Sequence, residues 1–177
     1  MKKLIIGLVS TAIVFTACKN EGGNKGTTGA TGQENTATAK VSVTKPSDEE
    51  LKKGYQVFKN TCSACHWEDI TPEKIKEVKE YVKKHGKPPF GGPPMSEVSA
   101  RVKKFYPDEQ KFVEFVKDYI TNPSKDKGVC LPKVYNRFGV MPPIGKNLSE
   151  EEKEAVAKWL YHRFEMSWEE FMQKNPH

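Results

Sequence analysis

Cys62-Ser63-Ala64-Cys65-His66 is the most chemically specific run in this chain. Two cysteines separated by two residues and followed at once by a histidine form the attachment signature of c-type haem. Each sulfur can add to one vinyl group of the porphyrin, and the spacing lets both reach one edge of the ring. The adjacent imidazole then comes under the iron as its proximal ligand. The motif occurs once, so one covalent haem is the expected count. A thioredoxin-type redox pair needs a βαβ setting and leaves His66 without a role. Zinc needs four ligands, and no second Cys or His pair with zinc-like spacing lies downstream.

The rest of the composition suits a haem-filled interior. Of 177 residues, 36% are hydrophobic and 29% charged, which is thin for an ordinary core and leaves room for one domain with extensions. The formal charge of +6 is spread along helical stretches, and Lys2 and Lys3 fall in a segment expected to be removed. No basic run interleaved with aromatic residues marks a nucleic-acid surface, so no nucleic-acid partner is expected. A mild basic excess does suit steering toward an acidic redox partner.

The N-terminus reads as an export signal, residues 1–17. Lys2 and Lys3 precede an apolar stretch, Leu4 to Val14, too short for a comfortable membrane span. Phe15-Thr16-Ala17-Cys18 resembles a bacterial lipobox, with Cys18 as the lipidated residue and Phe15 in place of the usual Leu; a plain cleaved signal is the alternative. Residues 18–46, rich in Gly, Thr, Ala and Asn, read as a flexible tether with a reach of roughly 30 Å. The expected location is the cell envelope, periplasm-facing or surface, with the chain held to a membrane by its lipid.

The folded part is expected to span residues 47–166. Ser47-Asp48-Glu49-Glu50 forms a capping box after Pro46, and Leu51, Tyr55 and Phe58 follow at helical spacing toward Cys62. Further helices are expected from Thr71-Pro72 to Gly86, from Met95 to Tyr106, and around Phe112 to Ile120, with a Pro- and Gly-rich loop at residues 88–94. Ser149-Glu150-Glu151-Glu152 caps a further helix carrying Val156, Trp159, Leu160 and Phe164 on one face. Residues 167–177 read as a C-terminal extension with a short helical turn. No stretch alternates with a period of two, so the fold class is all-α.

Gly54, Phe58, Cys62, Cys65 and His66 stand in the order and spacing of the N-terminal helix of class I (mono-haem) cytochromes c, which this chain resembles at residues 47–66 and 134–164. The resemblance implies a cytochrome c-like helical domain around one covalent haem c, here with an enlarged helical insert. It implies that the C-terminal helix crosses the first one at Gly54, with Trp159 or Leu160 meeting Gly54 and Phe58. It also implies that Met141, in Phe138-Gly139-Val140-Met141-Pro142-Pro143, is the second axial ligand, presented by a proline-stiffened loop. Met95, His85, His162, His177, Met166 and Met172 are weaker candidates. Arg137 and the Trp and Tyr side chains are candidates for propionate hydrogen bonds. Cys130 reads as a small buried hydrophobe beside Leu131 and Val134, or as a minority haem ligand.

The expected function is single-electron transfer between periplasmic or membrane redox partners, with no substrate bond made or broken. The alternatives are a haem enzyme acting on peroxide or sulfur compounds, and a fixed cytochrome subunit of a membrane oxidoreductase complex.

Overall fold

The computed structural model describes residues 45–175. The export segment, Cys18 and most of the tether lie outside the described residues, as does His177. Among the described residues there are seven α-helices and no strand. No described helix is long and apolar enough to cross a membrane.

Local chemistry sets the helix boundaries. Helix α1, Asp48–Val57, starts on Ser47, whose side chain accepts from Glu50 N–H while the Glu50 carboxylate accepts from Ser47 N–H. The next turn, Phe58–Cys62, widens to a π-helix, closed by Ser63 N–H donating to Phe58 O at 2.9 Å. Such a bulge re-aims the residues that follow it. Helix α2, Pro72–His85, has Thr71 as N-cap, Pro72 in its first turn and a left-handed Gly86 at its end. Helices α3, Met95–Phe105, and α4, Glu109–Thr121, come next, the latter capped by Asp108.

Helix α5, Pro132–Phe138, was not expected from periodicity; Pro132 at its start is the signal that marks it. A 3₁₀ turn at Ile144–Asn147 precedes α6, Glu150–Arg163, which carries a second capping box on Ser149. A third, on Ser167, opens α7, Trp168–Lys174.

Helix α6 is the central element. It crosses α1 and also packs on α4. At the first crossing Phe58 stacks on Trp159 with ring centroids 4.7 Å apart, and both side chains are almost fully buried. Of the two residues expected to meet Gly54, Trp159 does so. A Cβ on Gly54 would fall 2.1 Å from Ala155 O and 2.5 Å from Trp159 Cβ, so only glycine permits this approach. Helix α3 is tied to α6 by the buried Ser99 hydroxyl, which donates to Leu160 O at 2.9 Å. Lys103 Nζ also donates to Phe164 O.

Helix α7 packs on α3 and does not trail into solvent. Trp168 and Phe171 bury Ala100 completely, and the Arg101 guanidinium lies 4.8 Å from the rings of both Phe105 and Trp168. Met166 and Met172 belong to this cluster.

Candidate haem site

A large apolar cavity opens between the end of α1 and helices α3 to α6. Its lining is overwhelmingly apolar, which suits a hydrophobic cofactor. Apolar side chains from four helices form most of its wall, among them Val102, Val116, Val156 and Leu160.

Cys62, Cys65 and His66 line one side of this cavity. The π-turn buries Cys62, while Cys65, three residues on, is exposed. Cys65 N–H and His66 N–H both donate to Cys62 O, at 3.1 and 2.9 Å, which folds the motif into a tight turn. Burial pushes the Cys62 thiol up to about 11, and neighbouring Cys65 adds to the shift.

His66 Nδ1 lies 2.7 Å from Pro93 O. A carbonyl oxygen only accepts, so Nδ1 carries the proton and Nε2 keeps a free lone pair. Burial lowers the His66 pKa, against the opposing effect of the Pro93 bond, and favours the neutral imidazole that a metal needs. This tautomer control comes from the loop at residues 88–94, which the sequence marked only as irregular. Gly91 N–H and Gly92 N–H donate to Cys65 O at 2.9 and 3.0 Å. A Cβ on Gly92 would sit 2.4 Å from His66 Cε1, so glycine lets the loop lie flat against the ring. Gly92→Ala is expected to destabilise the haem-loaded protein by about 1–3 kcal/mol by overpacking. Chemical denaturation followed by haem absorbance measures that loss.

Met141 also lines the cavity, from the loop between α5 and the 3₁₀ turn. Gly145 of that turn lies against Ile120 and Thr121 of α4, which anchors the loop at its far end. Met95 reaches the same cavity. It is nearly buried at the start of α3, and its N–H donates to Trp67 O at 2.8 Å, so it belongs to the wall that carries His66.

The remaining candidates lie elsewhere. His85 stacks on Tyr81 at 4.2 Å, and His162 Nε2 lies 3.1 Å from Glu109 Oε1, an ion-pair distance without hydrogen-bond geometry. Met166 and Met172 sit by α7. Arg137 is exposed.

Cys130 lines the cavity as well, beside Tyr119 and Tyr135. Burial first, and then the nearby Glu97 charge, hold its thiol above the usual range. The Tyr135 hydroxyl is buried against Gly128, beside Tyr119. Glu97 itself is half-buried, and burial raises its carboxyl pKa from the usual 4.5 despite the attraction of Lys133, Arg137 and Arg101. A carboxylate with a raised folded pKa costs stability as pH rises from the unfolded value through the folded one. Glu97→Gln should therefore stabilise the protein at neutral pH, with the gain vanishing in acid below the unfolded carboxylate pKa, as read by urea midpoints across pH.

The donors and the cavity fit a haem. Two cysteines, an imidazole with a free Nε2 and a thioether share one apolar cavity. Among the described residues no three His, Cys, Asp or Glu side chains gather as a metal-ion site, which leaves the zinc reading without ligands there. An all-α fold with α1 and α6 crossed at a glycine, beside a Cys-x-x-Cys-His cavity, defines a class I cytochrome c domain.

The comparisons with known proteins agree. The family model described as "Cytochrome C oxidase, cbb3-type, subunit III" matches residues 49–160, and the chain belongs to that cytochrome c family. It is 63% identical over 124 residues to an uncharacterized protein of Aquifex aeolicus (strain VF5), covering 70% of this chain and 82% of that protein. No solved structure matches the chain.

Proposed function

We propose that this protein is a mono-haem, single-electron carrier of the cell envelope, held to a membrane through a lipid on Cys18 and serving periplasmic or membrane redox partners. The observation that carries the reading is the convergence of Cys62, Cys65, His66 and Met141 on one apolar cavity. Bound haem supplies a one-electron iron couple. Cys62 and Cys65 would hold its edge through thioethers, with Cys65 on the exposed side. His66 would present Nε2 to the iron, with Pro93 O fixing the ring orientation. Met141 would hold the iron through its thioether, a donor that favours a high potential and suits electron transfer. The apolar wall would exclude water from the cofactor.

A spectroscopic redox titration tests this. The expected result is a single one-electron wave with low-spin iron in both oxidation states. High-spin iron with peroxide turnover would replace the carrier by an enzyme. Cys130→Ser should leave the low-spin spectrum and the potential unchanged.

The family's description favours a second reading, a cytochrome subunit fixed in an oxidase complex. Co-purification in a stable detergent-solubilised complex would support that reading over a free shuttle.

A further inference from the structure

Helix α5 leads into the Met141 loop, yet little in the described fold holds it. It buries none of its seven residues and makes no extended contact with another described helix. Its inner face, Val134, Tyr135 and Phe138, lines the cofactor cavity. Gly139 and Val140 alone separate its last residue from Met141. A helix of about two turns does not persist in water on its own hydrogen bonds. Its position therefore depends on what fixes the chain at either end.

The far end is fixed by Gly145 against α4. The near end is tied to α7. Leu131, at the N-cap of α5, packs against the cluster of Ala100, Trp168 and Phe171. Two residues earlier, Val129 O accepts from Arg101 Nε at 2.7 Å. That guanidinium lies 4.8 Å from the Trp168 ring, a cation–π contact that holds its fork in one place. Trp168 is buried, and it borders a small gap together with Arg101, Leu131 and Val134. Helix α7 is itself secured by the Ser167 capping box and by Glu169, 2.8 Å from Lys104 Nζ. It lies beyond residues 49–160, the part that the cytochrome c family accounts for.

We propose that α7, acting through Trp168 and Arg101, positions the α5 segment and so keeps the Met141 thioether on the haem iron. The inference rests on the carrier reading and its Met141 ligand. A ligand carried by a loop binds only while the loop is held. Loosening α5 therefore lowers the ligated fraction before the rest of the fold opens. Trp168 and Arg101 are positioning residues, since neither lines the cavity.

The test heats the full-length haem-loaded protein while the methionine–iron charge-transfer band and the far-ultraviolet helix signal are followed together. In Trp168→Ala the band should disappear about 10 °C or more below the helix signal, a wider gap than in the wild type. Arg101→Met keeps an unbranched stem but removes the donor, and should widen the gap by less. Trp168→Phe and Arg101→Lys should restore most of the wild-type behaviour. Phe112→Leu is the control: Phe112 is fully buried on α4, meets Tyr161 of α6 and does not line the cavity, so both signals should fall in step. Peptides covering α5 should exchange their amide hydrogens roughly tenfold faster in Trp168→Ala, a larger change than in α1.

Band and helix lost together in Trp168→Ala, as in the control, would overturn the proposal and leave the carrier reading intact. Should Trp168→Ala fail to fold, an unchanged gap in Arg101→Met would overturn it equally. A wild type without the band would sink the Met141 assignment of the carrier reading, and the proposal with it.

Discussion

Met141→Ala is expected to remove the methionine–iron charge-transfer band from the oxidised protein and to lower its potential. The loop from Gly139 to Pro143 carries the thioether into the same cavity as His66 Nε2. Thioether ligation stabilises the reduced iron relative to harder donors, so a vacated or water-filled position favours the oxidised state. Axial ligation spans about 0.8 V across haem proteins, and a fall of roughly 0.1–0.3 V is the expected share for this change. Met95→Leu is the matched control. It removes the other methionine of the cavity wall with little change in volume, and should leave the band in place. A band that survives Met141→Ala and disappears in Met95→Leu would reverse the ligand assignment.

Gly54→Ala should cost more stability than alanine at any other described glycine. The new carbon meets a backbone carbonyl, Ala155 O, at 2.1 Å, and no rotamer change relieves a backbone clash. Helices α1 and α6 would have to move apart, undoing the Phe58–Trp159 stack that seals the crossing. Overpacking of this kind typically costs 1–3 kcal/mol, and a backbone obstacle places this site at about 3 kcal/mol or more. Trp159 also lines the cavity, so the haem absorbance should shift along with the denaturation midpoint. An unchanged midpoint would mean that the crossing is looser than the described geometry.

Much of this architecture was legible in the sequence because its signals are local. Ser47 and Ser149 announce their helices through short-range hydrogen bonds, and Gly54 and Phe58 are tied to the haem motif by fixed spacing. What escaped were relations between distant segments. Pro93 lies 27 residues from His66, and nothing in a Pro-Gly loop declares that one carbonyl will select a tautomer. Cys130 and Met95 reach the same cavity from segments far apart in the chain, which no periodicity encodes. The π-turn at Phe58–Cys62 was equally hidden, since its residues suit an ordinary helix until the motif's geometry widens it. Helix α2 shows the converse. Its Ile75, Val78 and Val82 periodicity predicts a helix packed on a core, yet these side chains are only half-buried and no described helix makes an extended contact with α2.

The most direct test of the account is the intact mass of the purified protein together with that of a Cys62→Ser/Cys65→Ser variant. The account predicts a wild-type mass equal to the processed polypeptide plus one haem, retained after denaturation, and a variant that carries none. A wild-type mass with no added haem, or with a haem that denaturation releases, would contradict it.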